Sequence, residues 1–90
     1  MTRQQTSEPI AVSGTAPIPL AEHVRQALNQ YFEHLNGHET SNLYALVMQQ
    51  VEKPLLEVVL AQTGQNQTKA AKVLGVSRST LRKKLDLYQL

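Results

Sequence analysis

The sequence predicts an all-α fold: four helices per chain, two copies joined as a homodimeric helical bundle, a C-terminal helix-turn-helix and an N-terminal arm. Three observations carry this. Apolar residues recur at helical period through residues 20–35 and 43–62. Residues 65–85 hold the punctuation of two short helices around a tight turn. The stretch 43–62 is also apolar around more of its girth than so short a chain covers by itself.

Residues 1–18 have the composition of an unpacked arm, rich in Thr, Gln, Ser, Pro and Gly. Within it, Ile10-Ala11-Val12 and Thr15-Ala16-Pro17-Ile18 flank Ser13-Gly14, which fits a two-residue hairpin turn. Pro9, Pro17 and Pro19 remove amide donors, so any ladder is short and on an edge. A mobile tail is the alternative, and a mobile arm is the expectation.

Residues 19–63 read as dimerisation helices. Pro19 suits a helix start, and Leu20, Val24, Ala27, Leu28, Tyr31, Phe32 and Leu35 trace one stripe until Asn36-Gly37 ends it. Tyr31 and Phe32 fall on that stripe as core residues, while His23 and His34 fall off it. After a connection, Glu39-Thr40-Ser41-Asn42, with several N-cap candidates, the second helix runs from about Leu43 to Gln62. Leu43, Leu46, Val47, Val51, Leu55, Val58 and Val59 crowd one side, and Tyr44, Met48, Leu56 and Leu60 widen it. A second copy of the chain is the partner that covers such a helix, so these seven residues are the expected dimer interface. Pro54 predicts a kink or a break. Val47, Val51, Leu55 and Val58 keep their phase across it, which favours one kinked helix.

Residues 64–90 carry the helix-turn-helix. Ala70, Ala71 and Leu74 give the first helix a small apolar face, Gly75 ends it, Val76 plugs the corner, and Ser77 caps the next helix. Leu81, Leu85 and Tyr88 line one face of that helix, and Arg78, Thr80, Arg82, Lys83 and Lys84 the other. Charge is split along the chain. From Gly64 onward six Lys or Arg stand against one acid, whereas residues 1–63 hold three bases and six acids. A helical hairpin with a merely solvated cationic face is the bland reading, but solvated surfaces usually mix their signs. A polyanion such as double-stranded DNA explains the split better.

Other classes find little support. There is no cysteine, hence no disulfide or thiolate metal site, and His23, His34 and His38 lack close ligand company. No cofactor is expected. No Ser-His-acid spacing or phosphate-cradling glycine loop suggests an enzyme. No apolar run approaches the roughly 20 residues that cross a bilayer, and residues 1–5 lack the apolar core of a signal peptide. A cytoplasmic protein without a membrane partner is expected.

Pro19-Leu20, Gln26-Ala27-Leu28, Tyr31-Phe32, Leu35-Asn36-Gly37, Leu43-Tyr44, Pro54-Leu55-Leu56, Asn66-Gln67-Thr68, Ala70-Ala71, Gly75 and Thr80-Leu81-Arg82-Lys83-Lys84-Leu85 resemble the Fis family of bacterial DNA-bending proteins. The likeness covers residues 19–88. The helix-turn-helix alone also resembles the DNA-binding tail of NtrC-type activators, but these 90 residues hold no ATPase or receiver sequence. The resemblance implies an intertwined dimer, recognition helices closer than one turn of straight DNA, and therefore bending on binding. It implies backbone contacts from Asn66 and Thr68, base-edge contact from Arg78, and phosphate contacts from Thr80, Arg82, Lys83 and Lys84. Ser77 stands where the best-known members have a base-reaching asparagine, and Asp86 and Leu87 stand where they have lysines. In the family an arm hairpin contacts a DNA invertase; RNA polymerase is the other partner to consider. The implied role is a nucleoid-associated transcriptional regulator and stimulator of site-specific inversion. A protein-docking module whose arm activates a recombinase or polymerase is the alternative.

Overall fold

Residues 10–12 and 18–90 are described in the computed structural model. They form β1 (Ala11–Val12), β2 (Ile18–Pro19), α1 (Leu20–Leu35), α2 (Leu43–Gln62), α3 (Gln67–Leu74) and α4 (Arg78–Tyr88). The chain divides into two units, one ending at Thr40 and the other spanning Ser41–Leu90.

In the first unit β1 and β2 pair antiparallel, Ala11 opposite Pro19 and Val12 opposite Ile18. This register corrects the two-residue turn at Ser13-Gly14, which would have set Val12 opposite Thr15. Pairing through Ile18 puts five residues in the connection and sets Pro19 at the end of the ladder. The Leu20 amide donates to the Ile10 carbonyl at 2.7 Å, fastening the strand to the helix start. Residues 1–9 and 13–17, on which most of the mobile-arm expectation falls, lie outside the described residues.

Pro19 occupies the N-cap of α1 with φ −57°, one residue before the expected helical position, and Glu22 lies in the first turn. Asn36 then turns left-handed, φ 52°, and ends the helix. The Tyr31 hydroxyl meets Thr40 Oγ1 at 2.8 Å, and the Tyr31 and Phe32 rings stand edge to face at 5.7 Å. Neither ring is buried in its unit; Phe32 is 52% exposed, and α1 buries no residue at all. The apolar stripe read from the sequence is present, half-buried at Val24, Leu28, Tyr31 and Leu35 and exposed at Leu20, Ala27 and Phe32.

In the second unit α2 is one continuous helix through Pro54 and not two. Its neighbours across the proline stay in phase, and Pro54 itself is exposed, so its ring displaces no core packing. Asn42 precedes the helix in a left-handed conformation and makes no side-chain cap, unlike the capping its neighbourhood suggests. Leu56 and Leu60 of α2 meet Ala70, Ala71, Leu81 and Leu85 in one core, with Val59, Leu74, Val76 and Tyr88 packed against it. Leu81 is completely buried.

Candidate nucleic-acid interface

Residue chemistry fixes the two short helices. Asn66, in extended conformation, accepts the Lys69 amide at 3.0 Å and caps α3. Ala70 and Ala71 are buried, and their small side chains let α3 approach α2 and α4 closely. Gly75 takes φ 77°, and the amides of Gly75 and Val76 both return to the Ala71 carbonyl, at 2.9 and 3.0 Å. With a longer bond from the Gly75 amide to the Lys72 carbonyl at 3.2 Å, that pattern occupies two carbonyls of the last turn of α3 and turns the chain sharply. Val76 packs on the core as the corner plug. Ser77 Oγ accepts the Thr80 amide at 3.1 Å and donates to Thr80 Oγ1 at 3.0 Å, capping α4.

With Leu81 and Leu85 anchored in the core, α4 turns Arg78, Arg82 and Lys83 to solvent, and Thr80 lies half-buried beside its cap. Lys69 and Lys72 are exposed on α3, as are Asn66 and Thr68 at its start. None of these cations has an ion-pair partner among the described residues. A row of unpaired cations at the starts and outer faces of two fixed helices is suited to a closely spaced row of phosphates.

Lys84 differs. Its Nζ lies 2.6 Å from Glu52 Oε2, and the Tyr88 hydroxyl donates to Glu52 Oε1 at 2.5 Å. The hydrogen bonds from Lys84 and then Tyr88 hold the Glu52 carboxyl below its ordinary value, while Glu52 pushes the Tyr88 hydroxyl up. Sequence reasoning missed Glu52, which lies far from Lys84 in the chain. The face division expected from the sequence, with Lys84 opposite Tyr88, is corrected here: the two are four residues apart on α4 and turn to the same carboxylate.

Residues 47–88 match the family described as bacterial regulatory protein, Fis family, and residues 1–40 match the DNA-binding protein Fis N-terminal domain. The chain is 53% identical over 70 residues to the DNA-binding protein Fis of Yersinia enterocolitica, covering 78% of this chain and 71% of that protein. The Fis of Pectobacterium carotovorum is equally similar, and that of Proteus mirabilis is 51% identical over the same extent. The chain belongs to the Fis family.

Against the Fis pattern, Ser77 spends its hydroxyl on capping α4, so the shorter side chain is committed to the helix start. Asp86 and Leu87 are exposed and add no positive charge to the end of α4. The face of α2 turned away from the core is apolar: Leu46 is 41% exposed, Val51 38%, Leu55 45% and Val58 59%. Leu43 and Val47 are half-buried. Val59, one of the expected interface residues, is partly buried and packs on the core of its own chain. Spacing explains this: Val59 follows Leu56 by three residues and precedes Leu60, so it shares their face. Among the described residues no cluster of His, Asp or Glu could hold a metal, and no helix is long and apolar enough to cross a membrane.

Proposed function

We propose that this chain is a dimeric DNA-binding and DNA-bending protein, acting in the bacterial cytoplasm as a nucleoid-associated regulator of transcription and not as an enzyme. The observation that carries the reading is the set of exposed cations on α3 and α4 (Lys69, Lys72, Arg78, Arg82 and Lys83), unpaired among the described residues and held by two capped helices on one core. The names of the relatives, DNA-binding protein Fis, point the same way. In this reading residues 64–90 bind DNA and residues 19–63 dimerise. Asn66 and Thr68 meet the backbone, Arg78 reads a guanine edge with Ser77 beside it at the base-facing position, and Thr80, Arg82 and Lys83 line the phosphates. The exposed apolar residues of α1 and α2 support the dimer, whose recognition helices then demand a bent duplex.

Binding to a short labelled duplex across a salt series, by fluorescence anisotropy, tests this. About six to ten neutralised phosphates give a loss of roughly three to five decades in affinity between about 50 and 200 mM salt. A flat slope with weak binding leaves only a solvated helical hairpin. Arg78→Ala is expected to cost about 1–3 kcal/mol of discrimination between specific and random duplexes, whereas Lys83→Ala weakens both alike. Equal losses on both duplexes for the two variants would sink the assignment of Arg78.

A second role, stimulation of a DNA invertase or contact with RNA polymerase through residues 1–18, draws support from the β1–β2 pairing that ties the arm to α1. Deleting residues 1–18 is expected to abolish inversion in a reconstituted reaction while leaving DNA affinity unchanged.

A further inference from the structure

We propose that Glu52 is a positioning residue for the recognition helix α4, and that Lys84, which it holds, is a strut and not a phosphate ligand. The inference rests on the DNA-binding reading above. Glu52 sits one turn before Leu56 and two before Leu60, the buried leucines of α2, so its carboxylate issues from the face that meets the helix-turn-helix. Its two oxygens are divided between Lys84 and Tyr88, successive turns of α4, at 2.6 and 2.5 Å. Among the described residues these are the side-chain polar bonds that join α2 to α4.

The pair is also less exposed than the cations around it. The Glu52 side chain is 19% exposed and that of Lys84 37%. To reach a phosphate, Lys84 would surrender a charge-assisted bond and leave Glu52 uncompensated in the field of the DNA. Arg78, Arg82 and Lys83 face no such exchange. Apolar contacts of Leu81 and Leu85 hold α4 against the core without fixing a direction. A carboxylate bridging two donors is directional, and it acts on the C-terminal half of α4, where it sets the tilt of the reading end. The same α2 carries Val51 and Leu55 on its outward face. The tie therefore references α4 to the helix proposed at the dimer centre, and with it the angle between two recognition helices.

The test is the salt slope of full-length variants on one specific and one random duplex. Lys83→Gln should flatten the slope by about 1.8 per dimer, two phosphates at about 0.9 each. Lys84→Gln should leave the slope at the wild-type value. Glu52→Gln should weaken specific binding roughly fivefold, and random binding less, again without flattening the slope. The exchange Glu52→Lys with Lys84→Glu rebuilds the pair in reverse and should restore specific affinity, which also answers any folding defect of the single variants. A Lys84→Gln slope flattened as much as that of Lys83→Gln, or an exchanged pair that binds worse than either single variant, overturns the inference. A wild-type slope near zero overturns the DNA-binding reading itself, which is a different failure.

Discussion

Gln65 carries a left-handed backbone, φ 65°, directly after Gly64 at φ 63°. Two such residues in succession swing the chain from α2 into the capping Asn66, and the Gln65 amide closes onto the Leu60 carbonyl at 2.8 Å. Glycine takes this conformation freely, but a side-chain-bearing residue carries a cost of about 1–2 kcal/mol. Gln65 is exposed, so its side chain recovers little of that through packing. Gln65→Gly is therefore expected to stabilise the fold by about 0.5–1 kcal/mol after the greater chain entropy of the unfolded glycine is allowed for. In thermal melts of the full chain that is a rise of roughly 2–8 °C. An unchanged or lower midpoint would mean that Gln65 makes a compensating interaction. The sequence marks Thr63-Gly64 as the end of α2, but nothing in a glutamine signals positive φ. That constraint comes from the need to bring α3 back onto Leu56 and Leu60.

At the scale of elements, what could be read in advance was what is written locally. Gly75 and Ser77 are a stop and a cap whose chemistry acts within four residues, and each sits where its type predicts, whereas the capping of α3 by Asn66 was not read. The strand register was not legible, because Ser13-Gly14 offers a turn that pairing through Ile18 overrides. Nor was the tie between α2 and α4, since a carboxylate in mid-helix reads as solvated surface until its partners come near. That tie has a sign in pH. The carboxyl of Glu52 is held below its ordinary 4.5, so the folded state favours the carboxylate. Its contribution is full above the ordinary value and is lost as pH falls through the lowered one. Wild-type melting temperature is thus expected to drop more steeply than that of Glu52→Gln from about pH 5 to about pH 3, and the two curves to converge at the acid end. Tyr88 acts in the opposite direction: its hydroxyl is raised above its ordinary 10.0, so its share is present below that value and fades as pH rises through the raised one. Parallel curves for the two proteins in acid would show that the tie contributes nothing to folding.

For the whole molecule, the decisive feature is a helix with two apolar faces. One face of α2, through Leu56, Val59 and Leu60, is satisfied within the chain. The other, through Val51, Leu55 and Val58, meets solvent, and α1 adds Leu20 and Phe32 to the uncovered apolar surface. Among the described residues six are buried apolar core, a small reserve for a chain without disulfides. Covering the outward face with a second copy answers both the exposure and the thin core. It also gives two reading helices on one body, so that binding at one groove raises the effective concentration at the next. Leu55→Glu combined with Val58→Glu places two carboxylates on this face and none in the core. Sedimentation is expected to give a dimer for the wild type and a monomer for this variant. The same variant should lose roughly a hundredfold or more in DNA affinity, the scale of lost bivalency. It leaves every cation of α3 and α4 in place, so a retained dimer with unchanged affinity would move the interface off this face, and a monomer of unchanged affinity would mean that one helix-turn-helix binds alone.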